Sequence, residues 1–186
     1  MDYLRRQVFP DAGNKFTFKG CILESTISLF GDKVTLVACT NELWHEIHGC
    51  YEPDPMMDMT PYAYDFKRCD KAFNHKLNDD TRRYFAILHD ERPVGEIYLK
   101  HIDISKRTSG FGIAIVNDSF KGKGFGTEAI KLLVDYSFNS LSLETITADS
   151  VLRNVRSHHV LEKVGFRYSH EDDVFKYYVI KKKSWL

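Results

Sequence analysis

The sequence predicts one domain of the α/β (α+β) class, and three features support that prediction. Strand-like segments lie on both sides of two helical segments in the first half of the chain. The run Phe111–Val116 is apolar on both faces, as in a strand buried at the centre of a sheet. A glycine-rich turn follows it and leads into an amphipathic helix. Elements in this order are typical of helices layered on a sheet.

The composition is that of a packed globular protein without a strongly charged partner. Its 186 residues are enough for one domain, and 43% of them are hydrophobic. Lys and Arg total 26, as do Asp and Glu, so the formal net charge of zero argues against nucleic acid as a partner. No apolar run approaches a membrane span, and residues 1–6 lack the apolar region of a signal peptide. We therefore expect a cytoplasmic protein with no nucleic-acid or membrane partner.

The start of the chain is the least regular part. Residues 1–31 are interpreted as an N-terminal extension, in which the apolar and β-branched residues of 16–30 allow one or two short strands. The domain itself is predicted to span 32–186. Its first clear strand is Lys33–Val37, and Thr40 is a good N-cap for the helix that follows.

The next elements alternate between helix, turn and strand. Three prolines predict a loop over Tyr51–Pro61, and a second helix is predicted from Tyr62 to about Asn78. Arg83–Leu88 and Val94–Leu99 have the composition of strands, with a turn at His89–Arg92 between them. Together with the buried run described above, they predict the centre of a sheet.

The cysteines and the clustered histidines do not predict a disulfide or a metal site. The four cysteines are widely spaced and form no C-x-x-C pair. His45 and His48 are three residues apart, whereas the metalloprotease motif requires a spacing of four. We interpret them as solvated imidazoles at a helix end.

The segment Lys121–Ala129 carries the clearest chemical signal. Gly122, Gly124 and Gly126 lie between the buried strand and a helix whose first-turn N–H groups have no intrahelical partner. Those N–H groups, the helix dipole and two lysines favour an anion such as a phosphate. The alternative is a tight turn that merely requires glycine. The phosphate-loop string G-x-x-x-x-G-K-S/T is absent, and the dinucleotide fingerprint G-x-G-x-x-G is matched only loosely and too late in the chain.

This segment resembles the pyrophosphate-binding motif of GNAT acetyltransferases, Q/R-x-x-G-x-G/A, with Lys121 in place of Gln or Arg. A second landmark is similar too: Asn154–Ser157 leads into Leu161–Phe166, an Asn-capped helix ending in a Gly-Phe pair. Asn154 is a good N-cap, and Gly165 suits the left-handed position after a helix. The residues and spacing of this second landmark are most similar to those of the branch that includes ribosomal-protein N-terminal and polyamine acetyltransferases. The landmark also argues against a different nucleotide cofactor at the glycine loop.

The resemblance implies a mixed central sheet, splayed between strands 4 and 5 and flanked by helices, with acetyl-CoA in the split as acetyl donor. Pantetheine would pair with the backbone of Ala114, Ile115 and Val116, and the loop amides of Gly122, Gly124, Gly126 and Thr127 would hold the pyrophosphate. The implied cofactor-binding residues are Ala114, Ile115, Val116, Lys121, Gly122, Lys123, Gly124, Phe125, Gly126, Thr127 and Asn154.

The resemblance also suggests catalytic groups. Relatives often place a tyrosine acid where this chain has Leu161, so Ser157 is the candidate proton donor for the thiolate, with a packing role as the alternative. Ser157 lies on the apolar face of its helix, whereas His158 and His159 are interpreted as surface or edge residues. Glu96, within an apolar strand, is the candidate base, and a solvated strand-edge carboxylate is the alternative.

The loop between the first two helices is the candidate acceptor site. Its carboxylates, Glu52, Asp54 and Asp58, would attract a cationic primary amine, such as a polyamine, a small aminated molecule or a peptide N-terminus. An ordinary solvated loop is the alternative. A non-catalytic acyl-CoA-binding or sensing module on the same fold remains the competing function, because the usual tyrosine is missing. The oligomeric state is open, with a homodimer as one candidate.

Overall fold

The computed structural model describes residues 27–57 and 60–185. The helices and strands of this part, in chain order, are β1 Ser28–Phe30, β2 Thr35–Ala38, α1 Asn41–Gly49, α2 Phe66–Leu77, β3 Arg83–His89, β4 Arg92–Asp103, β5 Thr108–Ile115, α3 Phe125–Asn139, β6 Thr145–Val151, α4 Val155–Val164, β7 Arg167–Glu171 and β8 Phe175–Lys181.

The strands form one mixed sheet in the order β1-β2-β3-β4-β5-β6-β8-β7. Neighbours are antiparallel, except β5 and β6, which run parallel and pair only over Thr108–Gly110 and Thr145–Thr147. The predicted class is therefore confirmed. The predicted splay between strands 4 and 5 is found between β5 and β6, because the short strand β1 shifts the count by one.

Both faces of the sheet are covered, as the alternation of side chains along β3 shows. Phe85 and Ile87 pack into a core with α3 and α4, whereas Ala86 packs into a smaller core with Trp44 of α1 and Phe73 of α2. Successive residues of a strand point to opposite faces, so α1 and α2 lie on one face and α3 and α4 on the other. No helix in the described ranges is both long and apolar enough to cross a membrane.

Local signals predicted several boundaries. The Thr40 hydroxyl accepts a hydrogen bond from the N–H of Leu43 at 3.3 Å, so the predicted N-cap of α1 is confirmed. The second helix begins at Phe66 and not at Tyr62, because the Asp65 carboxylate caps the N–H of Arg68 at 2.7 Å and the chain before it is extended. The hairpin turn predicted between β3 and β4 is also present.

Strand β1 lies within the stretch interpreted as an N-terminal extension and pairs with β2. Residues 1–26 lie outside the described residues, so the domain boundary at residue 31 stays a prediction.

Candidate active site

A cleft of about 490 Å³ opens where β5 and β6 separate. Ladder pairing between these strands stops at Gly110 and Thr147, so the following half of β5 pairs with β4 alone. Ala114 and Ile115, two of the residues expected along pantetheine, line this cleft. Val116, the third, is buried, and its N–H donates to the carbonyl of Val94 at 3.0 Å.

The glycine loop lines one end of the cleft. Gly122 and Gly124 have φ values of 75° and 89°, in the left-handed region that favours glycine. Gly124 is the N-cap of α3 and makes no side-chain capping bond, so the first-turn N–H groups are left for another partner. A Cβ on Gly126 would make only ordinary contacts with Ile113 and Ile115, so this glycine is not required by the fold around it.

The two loop lysines have different surroundings. The Lys121 ammonium is 3.1 Å from Asp54 and 2.9 Å from Asp118, and only 15% of its side chain is exposed. Lys123 is exposed, and its ammonium lies 5.7 Å from the centre of the Phe120 ring. The charge of Lys121 is therefore matched by carboxylates, while Lys123 keeps the freer positive charge near the loop.

The loop is supported from behind by residues that the sequence analysis did not single out. The Glu128 carboxylate accepts hydrogen bonds from the N–H groups of Asp32, Lys33 and Val34 at 3.0, 2.8 and 2.8 Å. This docks the β1–β2 turn on the first turn of α3. The Lys33 ammonium then donates to the carbonyl of Lys123 at 3.1 Å. No local signal reveals these contacts, since the partners are 90 or more residues apart.

Helix α4 lines the opposite wall. The Asn154 side chain accepts from the N–H of Ser157 at 3.0 Å, and Gly165 ends the helix with φ 112°, as predicted. Ser157 is half-buried and borders the cleft, as does exposed His159. His158 was wrongly placed at the surface: it is 6% exposed, and its Nε2 donates to the carbonyl of Val151 at 3.1 Å.

The segment 51–57, here called the strap, connects both walls of the cleft. Its Asp54 pairs with Lys121 on the α3 side, as described above. On the other side, the Arg153 guanidinium donates to the carbonyls of Met56 and Met57 at 3.2 and 3.0 Å. The Glu52 side chain is exposed. Asp58, the third expected acceptor carboxylate, lies outside the described residues.

Burial acts to raise the pKa of Asp54, but hydrogen bonds from the Met56 N–H and from Lys121 outweigh it and hold that pKa below its ordinary value. Burial acts to lower the pKa of Lys121, and the Asp118 and Asp54 carboxylates more than reverse this. Both groups are therefore charged at neutral pH, and the strap is held in part by an ion pair.

Glu96 lies on β4 between two other strands and is 7% exposed, so the strand-edge, solvated alternative does not hold. Its Oε2 lies 3.5 Å from Nε2 of His48, the last histidine of α1. Its cross-strand neighbour on β5 is Ala114 at the cleft wall. The sequence analysis did not foresee this contact.

The prediction that His45 and His48 are solvated is wrong. Their side chains are 12% and 19% exposed. The His45 ring stacks on Phe66 with centroids 4.3 Å apart, and the His48 ring lies 4.1 Å from that of Trp44. The second helix and the chain before it cover both rings, which a reading of α1 alone could not show.

The chain is similar to known acetyltransferases. The family model described as "Acetyltransferase (GNAT) domain" matches residues 33–167. YjcK of Bacillus subtilis (strain 168), whose name describes a probable N-acetyltransferase, is 35% identical over 96 residues, which cover 50% of this chain and 53% of YjcK. Spermidine N(1)-acetyltransferase of Escherichia coli (strain K12) is 29% identical over 101 residues, 54% of each chain.

These alignments span only about half the length of either relative. Among solved structures, a chimera of the spermidine N-acetyltransferase SpeG from Vibrio cholerae and hSSAT superposes with a TM-score of 0.73 and 24% identity, covering 83% of this chain and 98% of that one. At this identity the likeness shows the fold. Since the family model covers well over half of the sequence and the splayed sheet agrees with it, the chain belongs to the GNAT acetyltransferase family.

Proposed function

We propose that this protein is an N-acetyltransferase that moves an acetyl group from acetyl-CoA to a primary amine. One observation supports it most: the uncapped N-terminus of α3, preceded by two left-handed glycines, lies at the cleft where β5 and β6 separate. Uncapped helix N–H groups suit a pyrophosphate, and a free strand edge beside them suits an extended, amide-bearing arm.

The residues around the cleft fit the acetyl donor. The backbone of Gly122–Thr127 would hold the pyrophosphate, Lys123 would add positive charge, and Ala114 and Ile115 would pair with pantetheine. Asn154 borders the cleft while its side chain caps α4. Acetyl-CoA supplies a thioester carbonyl, and binding donor and acceptor side by side accounts for much of the acceleration.

The reaction needs proton transfers at the acceptor nitrogen and at the leaving sulfur, and one candidate group lies behind the cleft wall and another in it. The acceptor must lose a proton before its nitrogen can attack, and Glu96 is the candidate base because it is a buried carboxylate opposite Ala114. The departing thiolate needs a proton, and Ser157 is the candidate donor at the cleft wall; its hydroxyl would regain a proton from the acceptor nitrogen, which loses its second proton as the amide forms. Leu161 is 3% exposed and offers no acid.

The acceptor is proposed to be a cationic primary amine that enters beside the strap. Tyr51 and Met57 line the cleft, and Glu52 is exposed next to them. Asp54 already neutralises Lys121, so we expect Glu52 and Asp58 to contribute more to amine attraction. Several relatives carry the name spermidine acetyltransferase, which supports a polyamine-like acceptor.

Two measurements test this function. CoA and acetyl-CoA should raise the melting temperature, because a ligand that binds only the native state stabilises it, and ATP and NAD should not match that shift. Thiol release from acetyl-CoA should then depend on an added amine in a panel that includes spermidine. A thermal shift without thiol release for any amine would favour the non-catalytic acyl-CoA-binding module, and an equal shift with NAD would contradict the donor assignment.

A further inference from the structure

Glu96 and His48 form a buried polar pair that is incomplete as it stands. Oε2 of Glu96 and Nε2 of His48 are 3.5 Å apart, and both atoms are sealed from solvent. Neither has a hydrogen-bond partner in the described part of the chain. A buried polar atom without a hydrogen-bond partner destabilises the folded protein. Such a pair therefore indicates a site whose hydrogen bonds are completed when a ligand or a proton binds.

The hydrogen-bond network around His48 indicates what is missing. The Tyr62 hydroxyl donates its single hydrogen to the backbone carbonyl of His48 at 3.1 Å. His48 Nδ1 lies 3.2 Å from the same hydroxyl oxygen, so Nδ1 must carry the hydrogen of that contact. In the neutral imidazole, Nε2 is then a bare acceptor that faces a carboxylate oxygen. One added proton turns this repulsive contact into a charge-assisted hydrogen bond.

We propose that His48 is a positioning residue for Glu96, and that the pair takes up one proton from the acceptor ammonium; this rests on the proposed acetyl transfer. The N–H bond of the ammonium breaks, its electron pair stays on nitrogen, and the proton is held between Oε2 and Nε2. The uncharged amine can then attack the thioester. The proton passes to solvent after the acetylated product leaves, which restores the pair.

The location of the pair fits this role. Glu96 is directly opposite Ala114 in the β4–β5 register, and Ala114 lines the cleft. Tyr98, two residues along on the same face of β4, lines the cleft too. His48 lies near the end of α1, immediately before the strap that covers the acceptor side. Glu96 and His48 do not line the cleft themselves, so the pair lies behind the part of the cleft wall that Tyr98 and Ala114 form, a few residues from the strap.

The other titratable groups facing Glu96 do not compete for this proton. Burial raises the pKa of Cys39, at the end of β2, and of Tyr98 to about 12 each. Burial also raises the pKa values of Tyr62, of Tyr84 on β3 and of Cys69 on α2. All five groups therefore stay neutral and protonated at pH 7.

Lys76 of α2 and Arg82, which donates to the Tyr84 hydroxyl at 3.2 Å, are cations on this side. Burial lowers the pKa of Lys76, while the Glu96 charge acts to raise it. Its ammonium lies 4.3 Å from the Trp44 ring centre and 5.1 Å from that of Tyr84, where the ring faces stabilise it. Among the groups that face Glu96 in the described part of the chain, His48 is of the side-chain type that most often takes up or gives a proton in catalysis.

The test compares His48→Gln with wild type, using spermidine as the acceptor and saturating acetyl-CoA. Glutamine can still donate to Glu96 but cannot take up a proton. At pH 7 we expect kcat/KM for spermidine to fall by about 100-fold, the scale of general acid–base catalysis. Toward about pH 9.5, where solution supplies more free amine, the deficit should shrink by at least about tenfold, which a structural defect would not do.

His45→Gln is the matched control, because His45 is on the same helix and half-buried against an aromatic ring but 3.7 Å from Asp70 and not next to Glu96. It should keep wild-type kcat/KM.

Circular dichroism and the acetyl-CoA thermal shift show whether His48→Gln folds. If it does not, Glu96→Gln is the second variant, and we expect it to show the same pH-dependent deficit in kcat/KM. A wild-type protein that acetylates no amine would overturn the proposed function. An active wild type with an unchanged His48→Gln, or with a deficit independent of pH, would overturn the pair alone.

Discussion

The two sides of the cleft are built in different ways. On the proposed donor side, one continuous segment, Lys121–Thr127, presents backbone N–H groups through left-handed glycines at the start of α3. On the proposed acceptor side, single side chains come from several elements, with His48 from α1, Glu96 from β4 and Arg153 from the β6–α4 connection. A site made of backbone has a local sequence motif, whereas a site made of scattered side chains has none.

The donor side is not wholly local, however. The Glu128 carboxylate binds three successive N–H groups of the β1–β2 turn, and Lys33 of that turn reaches the carbonyl of Lys123. The loop that holds the proposed pyrophosphate therefore depends on a hairpin from the other end of the chain. We therefore expect binding at the backbone site to be lost when a substitution disturbs its torsion angles. The side-chain site should instead be impaired by substitutions that remove a charge or block a proton transfer.

The largest expected effect is on the donor side. Gly124→Val places a β-branched residue at φ 89°, at a strain of about 1–3 kcal/mol, with its Cβ 3.3 Å from the Lys33 ammonium. We expect CoA affinity to fall by about 100-fold in isothermal titration while the protein stays folded. Gly49→Val is the control, since a Cβ there meets nothing within 4 Å. Near-normal CoA binding by folded Gly124→Val would place the pyrophosphate elsewhere.

The second effect separates donor binding from chemistry. Ser157→Ala should lower kcat by about tenfold, with little change in acetyl-CoA affinity, if the hydroxyl protonates the leaving thiolate. Ser137→Ala is a helical control, since Ser137 is buried in α3 and donates to the Leu133 carbonyl. Steady-state kinetics with both substrates varied gives the two constants. An unchanged kcat would assign Ser157 to packing against the donor.

A smaller effect is expected from charge on the acceptor side. The triple variant with amides at Glu52, Asp54 and Asp58 should raise KM for a cationic amine by about fivefold at low salt and leave that for acetyl-CoA unchanged. Amides at Asp80, Asp90 and Glu91, three exposed carboxylates outside the strap, remove the same charge and serve as the control. If the triple variant shows wild-type KM for its best amine, the acceptor is not selected by this loop.

The smallest effect concerns how the strap is held. The lowered pKa of Asp54 gives stability that is present above its ordinary value of 3.8 and lost as pH falls through the lowered value. The raised pKa of Lys121 gives stability that is present below 10.5 and lost as pH rises through the raised value. Asp54→Asn should therefore cost no more than about 1 kcal/mol between these limits.

Urea unfolding of wild type and Asp54→Asn from about pH 3 to about pH 11 measures this difference. The difference in unfolding free energy between the two proteins should be widest near neutral pH and should narrow toward both ends of this range. A gap that closes toward acid pH but persists at alkaline pH would mean that Asp54 stabilises the strap by its hydrogen bond to the Met56 N–H, 2.9 Å long, and not through the ion pair.

The helix caps that depend on neighbouring residues were mostly predicted correctly. Thr40 and Asn154 were identified as N-caps and Gly165 as a left-handed helix end because each of these roles depends on one residue and its near neighbours. The start of α2 was missed, although Asp65 is the capping residue there. His158 was misplaced because packing of α4 against the sheet, not the position on the helix, buries it.

By itself the sequence determined the class of the fold, the glycine turn before α3 and the cap of α4, because periodicity, backbone torsion and capping are properties of neighbouring residues. Only the tertiary structure decided that Glu96 is buried against His48, that Lys121 is neutralised by Asp54, and that Glu128 holds the hairpin behind the loop. These contacts join residues from about 50 to almost 100 positions apart. Burial and pairing at such distances depend on how strands and helices pack, which no local pattern records.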